Sequence, residues 1–173
     1  MTTEKRLLLL RHAKSSWDDP SLSDRERPLA PRGRKATKLL SGHLHSAGIA
    51  PEVVLCSPSQ RTRETFDRIR AAFDDDIAVS FEDELYGASA EALLARLREL
   101  DEQIGSAMLI GHNPAIAELA RGLAGSGTKR EDLDGKYPTG ALATIVFAGS
   151  WRELGPGTGE LAAFVTPKEL ARS

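Results

Sequence analysis

The sequence predicts a three-layer α/β/α sandwich with a mostly parallel central sheet and an antiparallel C-terminal hairpin. Short apolar runs of strand length alternate with longer segments whose apolar residues recur at helical spacing. After residue 127 the helical pattern stops, and two apolar runs separated by a glycine-rich turn predict the hairpin. A chain of 173 residues is long enough to build one core. We therefore expect a single domain over residues 1–173.

The first βα unit is predicted over residues 5–47. Residues 5–10 contain four consecutive leucines and predict a short buried strand. The polar stretch 14–30, rich in Ser, Asp, Arg and Pro, predicts a long loop. Pro31 suits the first turn of a helix over 31–47. The apolar stripe of that helix is Ala36, Leu39, Leu40, Leu44 and Ala47.

A second unit follows over residues 53–81. Residues 53–56 predict a strand that ends at Ser57-Pro58. A helix is expected over 59–73, and residues 77–81 alternate as in a strand. The residues of that helix expected to face inward are Thr62, Phe66, Ile69 and Phe73.

The remaining elements repeat the pattern before the hairpin. Ser89 is a suitable N-cap for a helix, residues 107–110 predict a strand, and Pro114 opens a further helix. The hairpin strands are 141–147 and 160–165. The apolar residues of the two helices are Leu93, Leu94, Leu97 and Leu100 in the first, and Ile116, Leu119 and Leu123 in the second.

The charge distribution bears on the class of partner. The formal net charge of −2 argues against a nucleic-acid-binding protein. Residues 1–45 carry a net charge of +5 and the remainder −7. This asymmetry indicates either a solvated helix face or attraction of an anionic substrate to the N-terminal part.

The single cysteine, Cys56, rules out an internal disulfide and fits a reducing cytosol. Four consecutive leucines are too few for a signal peptide or a membrane span. We therefore expect a cytoplasmic protein that does not interact with membranes.

Charged and aromatic side chains follow the predicted strands where each strand ends. Arg11 and His12 follow the first strand, and His112 follows the strand 107–110. Ligands bind open α/β sheets at the carboxyl edge of their strands, so both imidazoles are expected at one edge. Arg61 lies near the start of the helix after the second strand, where backbone N–H groups favour anions.

The two histidines alone are compatible with zinc ligation, nucleophilic catalysis or core packing. The neighbouring arginines decide among these three roles. Guanidinium groups bind phosphate with two parallel hydrogen bonds and repel metal ions. Arg11, Arg61, His12 and His112 therefore predict a phosphate pocket with a nucleophilic imidazole, without metal or cofactor. His43 and His45 predict a partly buried and a surface histidine, because no third zinc ligand is evident.

Cys56 does not predict a cysteine phosphatase. That chemistry needs an arginine six residues after the cysteine, and position 62 is Thr. We expect Cys56 to be a small buried residue.

Several motifs resemble those of the histidine phosphatase superfamily, which includes the phosphoglycerate mutases. The segment 11–15 (RHAKS) is similar to its Arg-His-Gly motif, with Ala13 at the usual glycine position. Ala is acceptable there if its φ is negative. The short length and the segment 137–140 (YPTG) resemble the small bacterial SixA-type phosphohistidine phosphatases. Further segments agree in order: residues 28–33 (PLAPRG), Ser57-Pro58 with Arg61 and Thr65, and Gly111-His112.

The resemblance implies roles for these residues. His12 is the nucleophile that forms a phosphohistidine intermediate, and Arg11, Arg61 and His112 hold the phosphoryl oxygens. Ser15 either donates to the phosphate or shapes the loop.

Relatives that act on phosphoesters use a carboxylate as proton donor. Glu84 is the first candidate here, Asp83 the second, and Glu82 lies in the same turn. A solvated acidic turn explains these three residues equally well.

The resemblance also suggests the substrate, a phosphorylated protein of the histidine phosphotransfer type. A leaving imidazole, with a pKa near ~6.5, departs more easily than an alkoxide and relaxes the need for an acid. The alternative is a phosphatase or mutase that acts on a small phosphorylated metabolite, a phosphoester. A non-catalytic phospho-ligand module is disfavoured, because binding alone does not require a nucleophile.

Overall fold

A seven-stranded sheet forms the centre of the part of the chain that this computed structural model describes, residues 4–74, 76–126 and 130–172. The spatial order of its strands is β3-β2-β4-β1-β6-β7-β5. The strands are β1 (Glu4–Arg11), β2 (Val53–Cys56), β3 (Ala78–Phe81), β4 (Ser106–Gly111), β5 (Ala124–Ser126), β6 (Leu142–Ala148) and β7 (Gly159–Val165).

Helices cover both faces of the sheet. The side chains of β1 alternate between the two faces, so its leucines make both faces apolar. Leu7 and Leu9 pack into the core on the side of α3 and α4, whereas Leu8 and Leu10 pack on the side of α1 and α2. No helix in the described ranges is both long and apolar enough to cross a membrane. The helices are α1 (Pro31–Ala47), α2 (Gln60–Ile69), α3 (Ala90–Arg98), α4 (Ala115–Leu123) and α5 (Pro167–Leu170).

The register of the sheet brings three strand ends together. β4 lies between β1 and β2 and is parallel to both, with Arg11 opposite Gly111 and Cys56 opposite Ile110. β6 pairs antiparallel with β1 and β7, so the predicted hairpin completes the sheet beside its central strand. The predicted three-layer sandwich is confirmed.

The structure differs from the sequence prediction at the ends of α2 and α3, at Ala47, and in two short elements, β5 and α5, that the sequence did not predict. The helix predicted over 59–73 ends at Ile69 and continues as the 3-10 turn Arg70–Ala72, which still buries Phe73. Ala47 is exposed, because it lies in the last turn of α1 before Gly48 ends the helix in the left-handed region. β5 was not predicted, since three residues directly after α4 are too few to show a strand pattern.

Gly33 lets α1 approach the segment that follows His12. A Cβ at this position would lie 2.1 Å from the carbonyl oxygen of Lys14. The added Cβ and the Lys14 carbonyl oxygen are both fixed to the backbone, and neither can move aside. The close approach therefore requires glycine. The first turn of α1 thereby supports the loop that leaves β1.

We expect Gly33→Ala to destabilise the fold by about 2 kcal/mol or more, because the methyl group cannot be accommodated without moving backbone. Gly42→Ala, in the same helix, is the matched control, since a Cβ there meets nothing within 4 Å. It should stabilise the protein by about 0.5–1 kcal/mol through helix propensity. Urea unfolding of both variants checks the pair, and equal stabilities would contradict the close approach.

Candidate active site

The structure brings the four predicted residues together at the carboxyl ends of β1 and β4 and the first turn of α2. The ring centroids of His12 and His112 are 5.3 Å apart. Arg61 Nη2 lies 3.4 Å from His112 Nδ1. Burial, and the nearby positive charge of Arg61, lower the pKa of Arg11. Two guanidinium groups and two imidazoles therefore share one small region.

The His12 ring is held in one tautomer. Its Nδ1 lies 2.7 Å from the carbonyl oxygen of Ala13, which can only accept, so Nδ1 carries the proton and Nε2 keeps its lone pair. Burial lowers the pKa of His12 from 6.5 to about 3, and the ring is neutral at pH 7. Among the described residues only glycines have positive φ, so Ala13 adopts a negative φ that a residue with a Cβ tolerates.

His112 is oriented by Ser57 and Arg61. Arg61 Nη2 donates towards Nδ1, so Nε2 carries the proton and donates to Ser57 Oγ at 2.8 Å. Burial, followed by the positive charge of Arg61, lowers the pKa of His112 to about 4. The sequence placed Ser57 in a motif but did not assign it this contact.

The segment 137–140 positions the end of β1. The carbonyl oxygen of Tyr137 accepts from Arg11 Nη1 at 3.0 Å. The Gly140 N–H donates to the carbonyl oxygens of Arg11 and His12, at 3.0 and 2.9 Å. Gly140 has φ of 77°, a conformation that favours glycine. These contacts explain physically why this segment accompanies the Arg11-His12 pair.

Thr65 links the loop after His12 to α2. Its Oγ1 accepts from the Ala13 N–H at 3.1 Å and donates to the Arg61 carbonyl oxygen at 2.7 Å. The backbone of both predicted phosphate-binding segments is thus joined through one hydroxyl.

Ser15 lies in the wall of the loop. Its Oγ accepts from Arg27 Nη1 at 2.9 Å, and its backbone forms a bridge with Leu29. Arg27 is buried, and the exposed indole of Trp17 stacks 3.5 Å from its guanidinium carbon. These contacts give Ser15 a loop-shaping role, and its contact with phosphate stays a prediction.

Asp24 is a site carboxylate that the sequence analysis missed. It begins the 3-10 turn Asp24–Glu26 inside the long loop. Its carbonyl oxygen accepts from Arg61 Nη1 at 2.6 Å, and its Oδ2 accepts from Arg61 Nη2 at 2.9 Å. Tyr86 donates its hydroxyl to Oδ2, and Arg27 Nη2 lies 3.3 Å from Oδ1.

The Tyr86 hydrogen bond, followed by Arg61, lowers the pKa of Asp24 to about 2. The carboxylate is therefore ionised at neutral pH. No periodicity in the loop distinguished Asp24 from its acidic neighbours, so the sequence carried no signal for this contact.

The acidic turn predicted to supply a proton donor lies at the rim. Glu82 pairs with Arg96 at 2.7 Å, and Asp83 pairs with Arg25 at 3.2 Å. Glu84 is exposed and forms no hydrogen bond or ion pair with the site residues that the structure describes. Its role as proton donor stays a prediction.

The buried donors of this region suit an anion. Within the described ranges, the Nε atoms of Arg11, Arg27 and Arg61 are buried and have no hydrogen-bond partner. The same ranges hold no group of three or more His, Cys, Asp or Glu side chains arranged to bind a metal ion. The arrangement can hold a phosphoryl group beside the free Nε2 of His12.

The residues assigned to packing lie as expected. His43 is half-buried and His45 is exposed on α1. Cys56 is buried, and burial raises the pKa of its thiol to about 12. A protonated, buried thiol is a poor nucleophile, which agrees with the packing role.

Comparison with known proteins identifies relatives of the chain. Residues 7–90 match the model of the histidine phosphatase superfamily (branch 1). An uncharacterised protein of Mycobacterium leprae (strain TN) is 32% identical over 165 residues, covering 92% of this chain and 100% of the relative.

Two solved structures are similar over almost the whole chain. A SixA protein of Nakamurella multipartitia, described as a candidate phosphohistidine phosphatase, superposes with a TM-score of 0.82. It is 26% identical, covering 95% of this chain and 96% of that one. A similarly described SixA protein of Agrobacterium tumefaciens has a TM-score of 0.79 and 27% identity, with coverage of 94% and 98%.

The lowered pKa of His12 makes stability depend on pH. Its pKa is below that of an unfolded histidine, so the unfolded chain binds more protons and the free energy of unfolding falls as pH drops below 6.5. We expect His12→Asn to remove about 1–2 kcal/mol of the loss between pH 7.5 and pH 5. Asp24 contributes only at lower pH.

Urea unfolding at both pH values measures this difference. His45→Asn is the control, because it removes an exposed histidine of α1. Parallel pH dependences of wild type and His12→Asn would contradict a buried neutral imidazole.

Proposed function

The chain belongs to the histidine phosphatase superfamily, and from this membership we propose that it hydrolyses a phosphoryl group through a covalent phosphohistidine on His12. The proposed substrate is phosphohistidine in a protein of the histidine phosphotransfer type. The proposal involves neither metal nor cofactor, and places the protein in the cytoplasm.

The observation that carries the proposal is the state of the His12 ring. The Nδ1–H group donates a hydrogen bond to the Ala13 carbonyl oxygen, which leaves the Nε2 lone pair free. Burial keeps the ring neutral. A neutral imidazole nitrogen is a competent nucleophile at pH 7. The positive charges of Arg61 and Arg11 act on His12, and such charges stabilise a transferring phosphoryl group.

The reaction proceeds in two displacements. His12 Nε2 forms a bond to phosphorus while the P–N bond of the substrate breaks and the substrate imidazole departs with the electron pair. When solvent has protonated the other nitrogen of that ring, the departing group is neutral imidazole. Water then attacks phosphorus, the bond to His12 breaks, and inorganic phosphate and neutral His12 are released.

The carboxylates of the site favour this substrate over a phosphoester. An alkoxide leaving group needs a general acid, and Asp24 is ionised by its contacts with Tyr86 and Arg61. Glu84 is exposed at the rim. A departing imidazole needs no such acid. The similar SixA proteins are themselves described as candidate phosphohistidine phosphatases, which supports the same choice.

We expect His12→Ala to lower turnover of a phosphohistidine peptide and of an aryl phosphate by about a thousandfold or more, because the nucleophile is removed. His45→Ala, which removes an exposed histidine of α1, should retain wild-type activity. Both substrates are assayed with EDTA present. Equal activity of His12→Ala and wild type would exclude His12 as nucleophile, and loss of wild-type activity in EDTA would indicate a required metal.

Glu84→Gln tests the substrate class. With phosphohistidine peptide we expect kcat to change by less than about threefold, because the departing imidazole needs no general acid. The same variant is assayed with a small alkyl phosphate for comparison. A hundredfold loss on the peptide would show that a carboxylic acid is required, and would favour a small phosphorylated metabolite as substrate.

A further inference from the structure

Asp24 contacts the terminal nitrogens of Arg61, an arginine that is predicted to bind phosphate. Its carbonyl and carboxylate oxygens accept from Nη1 and Nη2 of Arg61, so both terminal nitrogens of that guanidinium contact one residue. Within the described ranges, no other carboxylate contacts Arg11, Arg61 or either site histidine. Asp24 therefore supplies the negative charge nearest to the predicted phosphate pocket.

The surroundings of this carboxylate resemble those of a bound phosphate. Two guanidinium groups, of Arg61 and Arg27, and the hydroxyl of Tyr86 donate to its oxygens. Guanidinium and hydroxyl donors are the groups that bind phosphoryl oxygens in proteins. The Asp24 side chain is half-exposed, on the solvent side of the buried Arg61. The Asp24 carboxylate thus places a permanent negative charge beside the predicted phosphate pocket.

We propose that Asp24 is an affinity-determining residue, whose negative charge on Arg61 weakens binding of the inorganic phosphate product. The proposal rests on the phosphate-binding role of Arg61 proposed above. A phosphate dianion next to Arg61 also lies near Asp24, and the two like charges repel. Looser binding of the product favours its release after the second displacement.

Two other roles for Asp24 lead to different outcomes. If Asp24 only positioned Arg61, weakening its hydrogen bonds would loosen phosphate binding. If Asp24 were the proton donor, its loss would lower kcat and leave phosphate affinity unchanged. Both guanidinium and hydroxyl donors favour its ionised form, which argues against a donor role.

Asp24→Asn distinguishes these roles, because it removes the charge and keeps the shape of the side chain. We expect the dissociation constant for inorganic phosphate to fall about three- to tenfold, the size of a screened repulsion close to the surface. The constant is measured by isothermal titration calorimetry and by competitive inhibition of aryl phosphate turnover. An unchanged or raised constant would overturn the proposal.

Three further variants complete the test. Asp18→Asn removes one charge from the same loop at an exposed position, and should change phosphate affinity by less than twofold. Asp24→Glu keeps the charge and should not tighten binding. Asp24→Ser is a second neutral variant that should tighten phosphate binding as Asp24→Asn does, and it is used if Asp24→Asn fails to fold by circular dichroism.

The outcomes separate this inference from the proposed function. If wild type binds phosphate and His12→Ala is inactive, but neutral Asp24 variants bind no more tightly, only the role of Asp24 is overturned. If wild type binds no phosphate at millimolar concentration, the phosphate pocket itself is excluded, and this inference fails with it.

Discussion

The site depends on the parallel register between β1 and β4. This register places Arg11 opposite Gly111, so His12 and His112 leave the sheet side by side, with ring centroids 5.3 Å apart. A shift by one residue would turn every side chain of β1 to the other face. Depending on its direction, the shift would also bring Arg6 or Arg11 to the apolar core position that Leu7 or Leu10 fills. The packing of the core therefore determines the spacing of the two imidazoles.

Burial at this edge affects the histidines and the arginines of the site in different ways. It lowers the pKa of His12 and His112 and keeps both rings neutral, which suits a nucleophile. It also leaves the guanidinium groups of Arg11 and Arg61 poorly hydrated, which is costly without an anion. Asp24 supplies part of that negative charge, and a phosphoryl group would supply the rest.

Local signals predicted most of the architecture. Strands and helices were recognised because the periodicity of apolar residues reports directly on burial, as in the four leucines of β1. The four residues that share the edge of the sheet were predicted because they follow strands abruptly or match motifs. β5 escaped detection because it is too short to show a pattern and pairs with the distant β7. Asp24 and Arg27 escaped because their importance comes from contacts across the fold.

The sequence by itself determined the fold class, the order of the elements and the four residues at the edge of the sheet. Each of these follows from patterns within a few neighbouring residues. Only the tertiary structure decided which nitrogen of His12 is free, which carboxylate contacts Arg61, and that Glu84 lies exposed at the rim. These features depend on the Ala13 carbonyl and on segments far apart in the chain. Such distances are set by packing, and no local pattern encodes them.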